Sequence, residues 1–325
     1  MTTRRHFLQA SALAGAATAW PALAESPWPN RPLSLIDPFT AGSNTDYFSR
    51  LLSERLGPSL GTQVIVENKP GAGGILGAEF VARAKPDGYT LGMASVSTLC
   101  AGPAVHAGVR YDPARDFTYI TKLVTLPSVT VVNNRFAART FKELIALAKA
   151  QPGRITFGVP GIGSAGHVLA EYMMHIADVQ FLVVPYKGSG PMLTDLIAGQ
   201  LDVMSDNIPS VLPQVQGGTV RPIAVRDMKR LSVMPDVPTY AEMGFASVSQ
   251  PLWFGLVGPA KMPEAVVNRI RAASHKALTD PGFVAKTLAM SAAVSPSTSK
   301  EFAADATALY AKLREVVKIA GIKAE

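Results

Sequence analysis

From residue 33 onward, short apolar runs alternate with amphipathic stretches. Leu33-Ser34-Leu35-Ile36 predicts a strand, and Phe48, Leu51, Leu52 and Leu56 then fall at helical spacing. Val64-Ile65-Val66 predicts the next strand, followed by a glycine loop and a helix over Ile75–Ala84. Thr90–Ala94 reads as a third strand. The alternation continues after Asn133. Thr140-Phe141-Lys142-Glu143 has the form of a capping box opening a helix to Ala150. Ile155–Phe157, Phe181–Val184, Leu201–Met204 and Pro222–Val225 are further strands, with helices between them. Such a βαβ rhythm implies an α/β fold with parallel or mixed sheets covered by helices on both faces.

Two places break the rhythm. One is 231–251, which holds Pro235, Pro238 and Pro251 and little periodicity; the other lies near Thr125-Leu126-Pro127. A chain that leaves one lobe, builds a second and returns would join the two by both crossings, a geometry that permits hinge closure. After Trp253–Val257 the chain turns helical, with Pro263 at a helix start and Thr298-Ser299-Lys300-Glu301 capping a last helix that ends near Gly321.

The N-terminus changes the picture. Arg4-Arg5 precede an apolar run, Ala10–Ala19, and Ala22-Leu23-Ala24 offers a small-x-small cleavage pattern. Residues 1–24 are expected to be an export signal of the twin-arginine type, cleaved near Ala24, with a periplasmic destination. The run is far short of the ~20 residues that span a bilayer. The formal charge is +7 for the full chain and +5 without the signal. The basic residues are scattered, so nucleic acid is not an expected partner, while a weak positive field suits an anionic ligand. Cys100 is the single cysteine, which excludes an internal disulfide.

Two loops stand out chemically. Phe39–Asp46 lies between the first strand and its helix, and Gly158–His167 precedes the helix through Met174. Each joins glycines and hydroxyls to a helix start, where backbone N–H groups and the helix dipole favour an anion. The amides of Ala41, Gly42, Ser43, Gly163 and Ser164 are expected to face it. Gly161-x-Gly163-x-x-Gly166 matches a dinucleotide fingerprint, but the following strand ends in Val184-Pro185-Tyr186-Lys187 without the acid that would hold a ribose. His167, Glu171 and His175 share a helix, yet the first and last diverge by ~80° around it, and no third His or Cys lies nearby. Ser164 lacks the glycine two residues before it that a nucleophile elbow needs. Asp46 reads as a helix cap. No catalytic constellation, metal site or cofactor is therefore expected. An exported enzyme with a phosphate or nucleotide ligand is the weaker alternative.

Several segments, in order along the chain, resemble the Bug-type solute receptors of tripartite tricarboxylate transporters. They are Pro38–Asp46, Val66–Gly74, Lys85–Leu91, Gly163–His167, Val184–Gly188, Leu201–Asn207, Leu231–Pro238 and Ala320–Lys323. The resemblance implies a two-lobed periplasmic-binding-protein fold of class II, each lobe a mixed or parallel sheet flanked by helices. It places lobe one at 26–125 plus 250–325 and lobe two at 126–249, with the ligand cleft between them. It implies capture of a small carboxylate, such as a di- or tricarboxylate, an acidic amino acid or an aromatic acid. The expected ligand-binding set is Phe39, Ala41, Gly42, Ser43, Asn44, Ser95, Gly161, Gly163, Ser164, His167, Tyr186 and Asp206. The implied partners are membrane transporter subunits, with a signalling kinase as the alternative, and the receptor is expected to be a monomer. Thr40, Ser43-Asn44 and Val159-Pro160 depart from the usual residues of such receptors, at positions expected to face the ligand.

Overall fold

The computed structural model describes residues 28–322; the export signal expected at 1–24 lies outside them. The apolar runs become strands and the amphipathic stretches become helices, in this chain order: β1 (Leu33–Asp37), α1 (Asn44–Leu60), β2 (Val64–Asn68), α2 (Ile75–Ala82) and β3 (Thr90–Ser95). A π-helical turn, Ser97–Ala101, and a single α-turn, Gly102–Val105, lead to β4 (Phe117–Leu126) and β5 (Ser128–Asn133). Then come α3 (Phe141–Ala150), β6 (Thr156–Val159), α4 (Ala165–Ala177), β7 (Leu182–Pro185), α5 (Ser189–Ala198), β8 (Val203–Asn207), α6 (Ile208–Gln216) and β9 (Val220–Arg226). The chain closes with β10 (Leu252–Pro259), α7 (Glu264–Leu278), α8 (Pro281–Ala289), β11 (Ala293–Val294) and α9 (Ser299–Ile319).

The strands form two mixed sheets. The first has the order β11-β4-β10-β3-β1-β2 and the second β7-β6-β8-β5-β9. In the first, β1 runs parallel to β2 and β3, and β10 runs antiparallel to β3 and β4. In the second, β6 is parallel to β7 and β8, and β5 is antiparallel to β8 and β9. The chain passes from one sheet to the other at Pro127, the single residue between β4 and β5. Proline has no N–H for a ladder, so neither strand continues through it. The return path, 227–251, is more ordered than its prolines suggest: Thr239 bridges to Val225, and Ala246–Val248 forms one 3₁₀ turn.

Packing carries the sequence pattern into the place where a ligand could sit. Helix α1 buries Phe48, Leu51, Leu52 and Leu56, and the Phe48 ring meets Phe254 of β10 edge-on at 5.9 Å. Helix α9 buries Phe302, whose ring makes edge contacts at 5.0 Å with both Tyr119 of β4 and Trp253 of β10. Thr298 and Glu301 form the expected capping box at its start. At α3 the box is only half made. Thr140 accepts the Glu143 amide, but the Glu143 carboxylate reaches past Thr140 to the amide of Arg139. Asp46 is not the cap of α1; Ser43 is, and Asp46 sits in the first turn with its N–H on the Ser43 hydroxyl.

Candidate ligand-binding site

Between the two sheets lies a cavity of about 830 Å³. The ends of β1, β3, β6, β8 and β9 and the start of β10 all open onto it. Open α/β sheets bind ligands at the carboxyl ends of their strands, and the chain's two glycine loops are strand-end loops of that kind. Phe39, Val96, Leu252, Trp253 and Phe254 give one apolar wall, while Ser128, Asp206, Asn207 and Arg226 give a polar one.

Around the cavity, three polar contacts among the described residues cross from one sheet's elements to the other's; away from it, Lys312 of α9 donates to the Ser247 carbonyl of the return path at 3.3 Å. Asn44 donates its side-chain N–H to the Ser210 hydroxyl at 3.1 Å. The Ala165 amide donates to the Ser97 hydroxyl at 3.1 Å. The His106 imidazole lies 3.4 Å from the Ile162 carbonyl. The two sides are therefore in direct contact around the cavity.

Of the expected ligand-binding set, Phe39, Ala41, Gly42, Ser43, Asn44, Ser95, Gly161, Ser164, Tyr186 and Asp206 line the cavity, and Gly163 and His167 do not. His167 is only 4% exposed, and its Nδ1 accepts the Gly163 N–H at 3.2 Å while its Nε2 lies 3.6 Å from Glu171. That pairing turns both residues inward. Tyr186 sends its hydroxyl to Asp195. Ser95 is tied to Thr98, whose amide donates to the Ser95 hydroxyl.

The expectation that loop amides point at the ligand fails for most of them. The Gly42 N–H donates to Asp46 at 2.9 Å, the Ser43 N–H to the Thr40 carbonyl at 3.2 Å, and the Ser164 N–H to the Gly161 carbonyl at 3.3 Å. With the Gly163 N–H on His167, Ala41 alone of the five keeps an N–H without an internal partner among the described residues. The cause is the density of short polar side chains beside each loop. Asp37 accepts from the Phe39 amide and from the Thr45 and Ser49 hydroxyls, and its burial pushes its pKa up to about 6. Asp46 is also buried, which opposes ionisation. The Arg50 guanidinium, the Gly42 amide and Asn68 nonetheless hold it below the ordinary carboxylate value. The Ser164 hydroxyl caps α4 by accepting the His167 N–H, so its acceptor capacity is partly used as well.

The polar wall behaves differently. Four of its buried atoms, Ser128 Oγ, Asp206 Oδ2, Asn207 Oδ1 and Arg226 Nε, have no hydrogen-bond partner among the described residues. Desolvation raises the Asp206 pKa to about 6, against the smaller opposing effects of the nearby Ser189 and Ser210 hydroxyls and the Asn207 amide. The Asn207 N–H donates to its Oδ1 at 2.8 Å. Burial also holds Arg226 below the ordinary arginine value. Sequence reading missed Arg226, Ser128, Asn207, Ser97 and Ser210. A usable signal was present at Arg226, a charged residue directly after the apolar run Pro222–Val225 and so at a strand's carboxyl end.

Comparison with known proteins decides what this architecture belongs to. The profile of the family described as "Tripartite tricarboxylate transporter family receptor" matches residues 48–315. The chain belongs to that receptor family. It is a periplasmic solute-binding protein by fold and by kinship. The receptor is 32% identical over 297 residues to Protein BugT of Bordetella pertussis, which spans 90% of this chain and 91% of the relative. Among solved structures, it resembles one described as a periplasmic transporter, with 38% identity, a TM-score of 0.85, and coverage of 91% of this chain and 99% of the other. A Rhodopseudomonas palustris protein solved with adipate is 30% identical, with a TM-score of 0.84 and coverage of 91% and 99%. MatC from the same organism, solved with bound malate, is 28% identical, with a TM-score of 0.82 and coverage of 89% and 100%.

Proposed function

We propose that the receptor captures one small carboxylate in the cavity between its sheets and hands it unchanged to the membrane subunits of a tripartite uptake system. The supporting observation is the cavity itself, lined from both sheets and bridged by the contacts from Asn44, Ala165 and His106. Two relatives of similar architecture carry adipate and malate, both small dicarboxylates.

In this reading the two sheets with their helices act as lobes, 26–125 plus 250–325 and 126–249, hinged at Pro127 and along 227–251. The open form lacks the three cross-sheet contacts, and ligand binding draws them together. Residues 1–24 direct the precursor through the twin-arginine pathway and are removed near Ala24. The ligand undergoes no chemistry, and the cavity residues serve only to bind it.

Small-angle scattering of the mature chain, with and without adipate or malate at saturation, tests the closure. The radius of gyration should fall on binding, and magnetic resonance of the recovered ligand should show it unaltered. A scattering curve indifferent to a bound ligand contradicts the hinge, and a converted ligand contradicts the receptor role.

A further inference from the structure

Arg226 ends β9 and is 3% exposed, yet its guanidinium has no hydrogen bond and no ion pair among the described residues. Two other buried charges of the chain, Asp37 and Asp46, are better served. Asp37 has three donors and Asp46 has Arg50 and Asn68. A buried cation with no counter-charge is costly, and native proteins keep one only where something else supplies the partner.

The register shows where that partner would sit. Ser128 of β5 is paired with Arg226 of β9 on one side and with Asn207 of β8 on the other. Residues directly opposite on neighbouring strands project to the same face. Arg226, Ser128 and Asn207 thus form one row across three strands, all three lining the cavity and each with a buried polar atom unpartnered. Asp206, one residue before Asn207 on β8, is paired with Val129 and projects to the other strand face, yet at the strand's end it too lines the cavity and carries a fourth unpartnered atom. The wall is polarised: Arg226 and Ser128 offer donors at one end of the row, and Asn207, with Asp206 beside it in the chain, offers acceptors at the other. The glycine loops across the cavity offer little, because most of their amides are already used.

We infer that Arg226 is the charged anchor of the binding site, holding a carboxylate of the ligand with Ser128, and that Asp206 selects ligands bearing a hydrogen-bond donor, a hydroxyl or an ammonium group, at the other end. The assignment rests on the receptor reading above and deepens it. The ligand's carboxylate is the counter-ion that the fold omits, and its arrival converts an unpaired buried guanidinium into a charge-assisted pair. Specificity then follows from the row: a molecule with no anion leaves Arg226 unpaired, and one with no donor leaves Asp206 unmatched.

Titration calorimetry with succinate, L-malate and L-aspartate, on wild type, Arg226→Gln and Asp206→Asn, tests the inference. Arg226→Gln should weaken every probe that wild type binds, by about ten- to a hundredfold, the range expected for a lost charge-assisted bond. Asp206→Asn should reduce the preference for malate or aspartate over succinate, with a smaller effect on succinate itself. Thermal unfolding separates this role from a structural one. Without ligand, Arg226→Gln should melt at or above the wild-type temperature, since it relieves an unpaired charge, and it should lose the ligand-induced rise. A variant that melts lower while keeping the full ligand-induced rise makes Arg226 a structural residue and overturns the inference. If wild type and Arg226→Gln bind alike, the anchor is wrong and the receptor reading survives. If wild type binds no small carboxylate, the receptor reading falls and the inference with it.

Discussion

Asp206, in the cavity wall, carries a cost in stability once its buried carboxyl ionises. Burial raises its pKa from 3.8 to about 6, so the folded chain holds this proton more tightly than the unfolded chain does. The sign follows from linkage. A carboxyl whose folded pKa is raised contributes stability that is complete below pH ~4 and is lost as pH rises through about 6. Asp206→Asn removes that dependence while keeping size and shape. The unfolding temperature of the variant, minus that of wild type, should grow between pH 4 and pH 7. Carboxylates elsewhere with lowered pKa, such as Asp46, act in the opposite direction but cancel in the difference. A difference that stays flat across this range contradicts a buried, ionising Asp206. Gly163 makes a related point. Its glycine suits an anion loop in the sequence, but its φ is +73° and an added Cβ would stand 2.2 Å from the His106 imidazole. The glycine is there so that the second loop can meet His106, and its amide is spent on His167.

At the level of elements, most strands and helices were legible because one face of each is apolar at the right period. The runs Leu33–Ile36, Val64–Val66 and Pro222–Val225 became β1, β2 and β9 with only their ends extended. Strands β4 and β5 escaped notice, although β4 pairs with β10 and β5 with both β8 and β9. Phe117–Leu126 interleaves Thr and Lys with buried residues, and Ser128–Asn133 is buried throughout, so neither shows clean alternation. The polar wall was hidden for a related reason. Ser128, Asn207 and Arg226 lie far apart in sequence, and only the pairing register of β8, β5 and β9 gathers them. The apolar wall depends on a helix still further along the chain. Phe302 of α9 backs Trp253, and both belong to one packed cluster. Phe302→Ala should cost about 3–5 kcal/mol of stability, measured by denaturant unfolding. It should also weaken ligand binding more than a surface change on α9 such as Lys312→Ala. Full stability in the variant contradicts the role assigned to that contact.

At the largest scale, two mixed sheets joined at Pro127 and along 227–251 leave a cavity between them. That topology puts residues from both sheets within reach of a single small molecule, which is what a receptor needs and a lone sheet cannot supply. Family and general architecture could be expected from short segments spread over the chain, whereas the chemistry of the cavity required the fold. The central claim is that the cavity holds one small carboxylate, non-covalently and unchanged. Native mass spectrometry of the mature chain, as purified and after incubation with adipate, malate, succinate, citrate, aspartate and benzoate, tests it most directly. The account predicts a one-to-one complex with the mass of a carboxylic acid, intact under gentle ionisation and absent after unfolding. A spectrum showing only the bare chain under every condition, or an adduct that survives unfolding, would contradict it.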